Sequence, residues 1–270
     1  MKFCDTLPAD PPGLATFRAD NPTAVDWAIF RSNHSLAYKE LANALEARQR
    51  GQCAFCETRL FTDIPTPARQ VEHWHPKSNG GYPAPHITFG VDNLHASCLG
   101  GSKPHLSPPF GPLGLAAGEH LSCGQKKGEK NPAALPLAER PYRPTELPLS
   151  PPAFSVEIDG SLGVNPDAVA AGLSATRLVA TIAFLGLDCE RLRIARASIR
   201  AYLDDQLANY EAEEVDLDPL NSMRNALARL ASHLSVQPSI PLPPFITVLR
   251  DFFGPANEGL LLPDPDWAVG

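Results

Sequence analysis

The chain has 270 residues, 29 of them proline, with an apolar fraction of 43% and a formal net charge of −7. That length can bury a core and fits one compact domain with appended structure, and the acidity argues against a protein that coats nucleic acid nonspecifically. No apolar run approaches the roughly 18 residues needed to span a bilayer, and the opening Met1-Lys2-Phe3-Cys4-Asp5 lacks the apolar core of a signal peptide; the expectation is a cytoplasmic protein without membrane association.

Residues 1–22 are proline-rich and polar and read as an irregular arm. Asn21-Pro22-Thr23 can open a short helix carrying Val25, Trp27, Ile29 and Phe30. A clearer helical spacing runs from Ser35 to Arg50, through Leu36, Leu41, Ala44 and Leu45, with Gly51 as its stop. This helix delivers the chain to Cys53. Residues 53–61 read as a metal-binding knuckle leading into a short strand, and 64–67 as a turn. Arg69 to Trp74 reads as a strand with Glu72 and His73 near its end. Residues 76–90, rich in Pro and Gly, read as a loop, Leu94 to Ser97 as the returning strand, and 99–122 as a second loop. A helix is predicted near Cys123.

Beyond it, Phe154, Val156 and Ile158 alternate before Asp159-Gly160, and Leu162 and Val164 alternate after, which predicts a β-hairpin. Asn165-Pro166-Asp167 is a helix start. The remainder reads as helical, with segments near 175–186, 189–212, 219–235 and 244–253. Arg191, Arg193, Arg196 and Arg200 lie along one of these and read as a solvated face, with a binding role as the alternative.

The chemistry-bearing residues gather in the centre. In a reducing compartment, closely spaced cysteines are metal ligands more often than disulfides. Cys53 and Cys56, two residues apart, can bite one ion from a single turn, and Cys98 and Cys123 can supply the other two ligands of a zinc tetrahedron. The alternative is that only one pair binds, or that the thiols are free. Cys4 and Cys189 read as ordinary small residues. Glu72-His73 pairs a carboxylate suited to a hard ion such as Mg²⁺ or Mn²⁺ with an imidazole suited to proton abstraction from water. Adjacent strand residues face opposite ways, so a bend is needed for both to serve one site. Asn93 can close the loop and orient the base, or can be a plain turn residue. His75, His95, His105 and His120 are further possible ligands. Lys77, Lys126 and Lys127 are candidate nucleic-acid contacts; for Lys126, Lys127 and the nearby Lys130 the alternative is a solvated helix start. Residues 49–132 carry a local charge of +2 against −9 for the remainder, so something else is expected to supply much of any nucleic-acid grip.

Together, Cys53-Ala54-Phe55-Cys56, Val71-Glu72-His73-Trp74-His75-Pro76-Lys77, Asn93-Leu94, Ser97-Cys98 and Cys123 with Lys127-Gly128 form a pattern that resembles the HNH, or ββα-metal, nucleases. More narrowly it is similar to the PtuB family, the HNH component of the Septu anti-phage system and of related retron loci. The resemblance implies an α+β fold: an N-terminal arm and helix over 1–48, a zinc-stapled ββα-metal core over 49–132, and a hairpin and helical C-terminal region over 133–270. It implies His73 as general base, Glu72 as the carboxylate of a catalytic Mg²⁺ or Mn²⁺, Asn93 as the middle asparagine, and Cys53, Cys56, Cys98 and Cys123 around a structural zinc. It further implies DNA as substrate and an ATPase of the ABC/SMC-like class, PtuA, as partner. Many HNH enzymes place His or Asn just after the last zinc cysteine; Gly124 stands there, with Gln125 or His120 as possible replacements. A stand-alone restriction-type HNH nuclease and a non-catalytic zinc-stabilised adaptor are the alternatives.

Overall fold

A computed structural model describes residues 1–24, 26–60, 69–77, 85–102, 120–213, 219–234 and 244–254. The readings of 61–68, of most of 99–122, and of His105 fall outside these residues. The fold is α+β, mostly helical, with two small antiparallel sheets. Among the described residues no helix is long and apolar enough to cross a membrane.

The first departure from the sequence reading is at the start. Residues 1–11 have no regular structure, as expected, but Pro12 to Asp20 form helix α1, which buries Leu14 and Phe17. Pro12 sits in the first turn, where a missing N–H costs nothing. Helix α2 (Trp27–Asn33) is capped by Asp26, whose carboxylate accepts from the Ala28 and Ile29 amides at 2.8 and 3.1 Å. Helix α3 (Ser35–Arg48) buries Leu41, Ala42 and Leu45. The three pack through an aromatic cluster in which Phe17 lies 4.7 Å from Phe30 and 5.1 Å from Phe89.

Strand β1 (Arg69–His73) pairs antiparallel with β2 (Leu94–Cys98), with Glu72 opposite His95 and His73 opposite Leu94. Between them, within the segment read as a loop, Pro85–Phe89 forms a short helix, α4. The knuckle turn docks on the free edge of β2. The Ala54 amide donates to the Ala96 carbonyl at 3.1 Å. The buried Gln49 side chain accepts from the Ala96 amide at 2.8 Å and donates to the Ala96 carbonyl at 2.7 Å. An amide side chain thus satisfies edge groups that a further strand would otherwise pair. Helix α5 (Cys123–Lys127) follows and packs on β2.

Strands β3 (Phe154–Val156) and β4 (Leu162–Val164) form the predicted hairpin. Gly160, at φ +80°, lies so close to the next helix that an added Cβ would fall 2.0 Å from the Arg193 carbonyl oxygen. Helices α6 (Pro166–Ala170), α7 (Ala175–Leu185), α8 (Glu190–Glu213), α9 (Pro219–Leu234) and α10 (Ile246–Phe253) are the remaining helices among the described residues. Asn165 caps α6 and Ser174 caps α7.

Two of the four α8 arginines do not belong to a solvated face. Arg191 and Arg196 are each 3% exposed. Arg196 donates to the Gly160 carbonyl at 2.6 Å and the Leu187 carbonyl at 2.9 Å and lies 3.4 Å from Asp188, so it fastens the hairpin turn to the α7–α8 corner. A buried guanidinium is tolerable only when its donors are matched in this way.

Helix α10 returns to the knuckle. Glu57, 2% exposed, accepts from the Thr247 amide at 2.9 Å and the Thr247 hydroxyl at 2.5 Å, and lies 3.1 Å from the Met1 amino group. Buried residues from all three segments read in the sequence belong to one apolar cluster running from Met1 to Phe253.

Candidate functional site

Two centres share the β1–β2 hairpin. In the first, the knuckle turn contributes Cys53 and Cys56, the end of β2 contributes Cys98, and the first residue of α5 contributes Cys123. Their Sγ atoms all lie within 4.8 Å of one another, and all four are buried. Sγ–Sγ separations are 3.6 Å for Cys56–Cys98 and 3.8 Å for both Cys53–Cys123 and Cys98–Cys123. None forms a disulfide. Four soft donors in a dry pocket can bind a metal ion, and among the described residues this is the one cluster of three or more metal-ligating side chains. The Gly100 amide points at Cys98 Sγ from 3.4 Å.

Sequence reasoning missed Arg191, which closes this centre from the C-terminal side. It donates to Ser122 Oγ at 2.7 Å. Burial alone would lower its pKa; the neighbouring Cys56 and Cys98 sulfurs outweigh that and raise it. The spacing of charges along α8 carries no sign that one cation turns inward.

The second centre is a polar cleft of 310 Å³ on the other side of the hairpin. Strand β1 supplies its floor with Gln70, Glu72 and His73, and α5 supplies Gly124, Gln125 and Lys127. The N-terminal helices supply a wall of Trp27, Arg31 and Tyr38. The wall was not foreseen, because its apolar members only mark a helix face that packs. Tyr38 Oη accepts from the Val71 amide at 3.5 Å, and the Arg31 guanidinium lies 5.7 Å from the Tyr38 ring centre.

Glu72 and His73 line the same cleft although they are adjacent in a strand. The His73 ring meets Trp27 edge-on, with centroids 4.5 Å apart, and its Nε2 lies 2.9 Å from the Thr88 carbonyl. A carbonyl only accepts, so Nε2 carries the proton and Nδ1 is the bare nitrogen. Burial lowers the pKa of His73 to about 4, leaving it neutral at pH 7.

Glu72 turns toward α5. Its carboxylate fills the space above Gly124: an added Cβ there would fall 2.3 Å from Glu72 Oε2 and 2.6 Å from its carboxyl carbon. Gly124 is therefore where the chain makes room for Glu72. Of the two suggested replacements for a ligand at this position, Gln125 lines the cleft beside Gln70. His120 instead lies against Gly101, and its carbonyl accepts from Cys189.

Lys127 is not part of a solvated helix start: it is 1% exposed, with Nζ 3.0 Å from Glu72 Oε1 and 3.0 Å from the Gly128 carbonyl. Burial raises the pKa of Glu72, and the Lys127 charge partly offsets that. Lys126 is exposed, and Lys77 is half-buried at the cleft.

Asn93, 2% exposed, holds the strand ends together. Its Oδ1 accepts from the His75 amide at 2.8 Å; its Nδ2 donates to the carbonyls of His75 at 2.9 Å and Ile87 at 2.8 Å. The expected bond to the base is replaced by a loop clamp: Asn93 fixes the residue next to Thr88, and Thr88 orients His73. His75 lies 3.2 Å from Asn131 Oδ1, and His95 is buried behind the sheet against Phe55.

The cleft places a neutral imidazole, a carboxylate and a buried ammonium around one polar space of 310 Å³. A hard divalent ion is compatible with Glu72 as a single carboxylate ligand, with water completing its shell. Comparison of the chain with protein-family models and with curated proteins finds no match.

Proposed function

We propose that the chain is a metal-dependent endonuclease of the HNH type that hydrolyses phosphodiester bonds in DNA. The observation that carries this reading is the convergence of Glu72 and His73 in one polar cleft beside α5, with Asn93 clamping the loop behind them. A strand pair, a helix and a cysteine cluster in that order support reading the centre as a ββα-metal core, in keeping with the sequence resemblance to the PtuB family.

In this reading the cysteine ion is zinc, and its role is to hold the fold. Sulfurs about 2.3 Å from a central zinc define a tetrahedron with edges of about 3.8 Å; three of the six sulfur pairs are 3.6 to 3.8 Å apart and all lie within 4.8 Å, which is compatible with it. At the cleft, Mg²⁺ or Mn²⁺ held by Glu72 would supply positive charge for the phosphorane and the leaving 3′ oxygen. The remaining work falls to the protein. Thr88 fixes the tautomer of His73, whose bare Nδ1 takes a proton from the attacking water. Trp27 packs the ring in place. Lys77 and Arg31, at the mouth, meet the phosphate backbone, and Lys126 extends that path on the surface of α5. The partner in this reading is an ATPase of the ABC/SMC-like class in an anti-phage complex, which supplies the nucleic-acid grip that the acidic body lacks.

The test is plasmid cleavage with Mg²⁺ or Mn²⁺ by the chain alone and with its genomic neighbour, wild type beside His73→Ala. Cleavage lost in a variant that keeps its zinc and its circular dichroism supports the reading. Cleavage retained by that variant removes His73 as base. An active lone chain favours a stand-alone restriction-type nuclease. The contact of Lys127 with Glu72 favours one other reading, a zinc-stabilised adaptor whose carboxylate is already neutralised; no cleavage under any condition would select it.

A further inference from the structure

The buried lysine in the cleft has a role beyond the proposed chemistry. Lys127 Nζ and Glu72 Oε1 are 3.0 Å apart, and Lys127 is 1% exposed. Among the described residues, the other acceptor beside that ammonium is the Gly128 carbonyl, also at 3.0 Å. On its other side, the Glu72 carboxylate is pressed against the backbone of Gly124. Glu72 therefore has little room to leave Lys127, and a divalent ion reaching that carboxylate meets a fixed positive charge a few ångströms away. Like charges at such a distance in a half-dry cleft repel strongly.

We propose that Lys127 and a divalent cation compete for Glu72, so that Lys127 keeps the carboxylate from binding metal until a substrate phosphate takes over its ammonium. This rests on the reading of Glu72 as the carboxylate of the catalytic metal. The ammonium is a compact point charge on a flexible stem. Its stem lies within the wall of the cleft that also holds His73, so a phosphate bound there offers it a stronger partner than a backbone carbonyl. Binding of metal and of phosphate are then linked through one side chain, and each raises the affinity for the other. The device confines an ion capable of hydrolysis to the moment when nucleic acid is in place.

The test is Mn²⁺ binding to the full, zinc-loaded chain without nucleic acid, read from the electron paramagnetic resonance signal of free Mn²⁺. Lys127→Met should bind Mn²⁺ at least tenfold more tightly than wild type. Lys127→Gln, which keeps a donor for the Gly128 carbonyl and removes only the charge, should give a similar gain and serves if the methionine variant fails to fold. Lys127→Arg should bind as weakly as wild type. Glu72→Gln should remove the gain when combined with either neutral variant. Unchanged or weaker Mn²⁺ binding in the neutral variants overturns the proposal, and so does a gain that survives Glu72→Gln. The plasmid assay fails separately: tighter Mn²⁺ binding without cleavage leaves the competition standing and removes the nuclease, and cleavage with unchanged Mn²⁺ affinity does the reverse.

Discussion

Replacing Asn93 by alanine tests how the hairpin holds the cleft. The side chain makes three hydrogen bonds of 2.8, 2.9 and 2.8 Å, to both backbone groups of His75 and to the Ile87 carbonyl, from a position 2% exposed. Each is worth about 1 kcal/mol net, and groups left unpaired in a buried site cost at least that much. The expected loss is about 3 kcal/mol, which in a chain of this size lowers the melting temperature by roughly 6–12 °C. Urea unfolding in zinc-replete buffer measures it. Asn131→Ala is the control: Asn131 caps a single turn through the Ala133 amide at 3.0 Å and touches His75 from a half-buried position, so its loss should stay near 1 kcal/mol. Asn93→Ala should also slow cleavage at temperatures where it is folded, because the Thr88 carbonyl that fixes His73 follows Ile87 directly. A destabilisation no larger than that of Asn131→Ala would refute the clamp.

Burial lowers the pKa values of His73 and His95 to about 4 and about 3. The stability these groups contribute is therefore complete above the ordinary histidine value and is lost as pH falls from 6.5 toward 4, with a slope of about 1.4 kcal/mol per pH unit for each. His95→Leu should remove one proton from that slope in urea titrations between pH 6.5 and 4.5; an unchanged slope would place the acid sensitivity elsewhere. Cleavage that needs neutral His73 should stay flat from pH 8 to pH 5 and fall only as pH approaches about 4. The purified chain should carry one zinc, and Cys98→Ser or chelation should lower its melting temperature by more than about 10 °C; full stability without metal would sink the structural role.

Much of the central architecture was legible because it is local. The strand at Arg69, its return at Leu94, the hairpin at Asp159-Gly160 and the helix after Ser35 each carry their own period and their own stop. The cysteines announced a metal cluster through their residue type, despite the long gap between Cys98 and Cys123. What stayed hidden is what depends on a partner distant in sequence. Nothing near Lys127 tells that its ammonium faces a carboxylate on β1, while Lys126 beside it stays in water. Arg191 and Arg196 share the spacing of Arg193 and Arg200, and only the hairpin turn and Ser122 distinguish them. Gly124 read as a missing ligand because a glycine in a motif looks like an absence; in space it is the room that Glu72 occupies. Helix α1 was hidden by Pro11 and Pro12, which stand at its N-cap and its first position, where a helix tolerates proline.

The long reach of the cysteine cluster also sets a schedule for making the protein. Cys53 and Cys123 meet across 70 residues of sequence, and Glu57 meets Thr247 across 190. At ribosomal rates of about 5–20 residues per second, the first two thiols wait roughly 4–14 seconds for the last one. For that interval Cys53 and Cys56 form an unfinished pair, open to oxidation or to a wrongly shared ion. The contact at Glu57 comes later still, once α10 has been made. The four thiols are all present once Cys123 is made, before half of the 270 residues, so a metal can be held before α10 docks, and the yield of correctly assembled protein should depend on how long the cell keeps a nascent pair of thiols reduced.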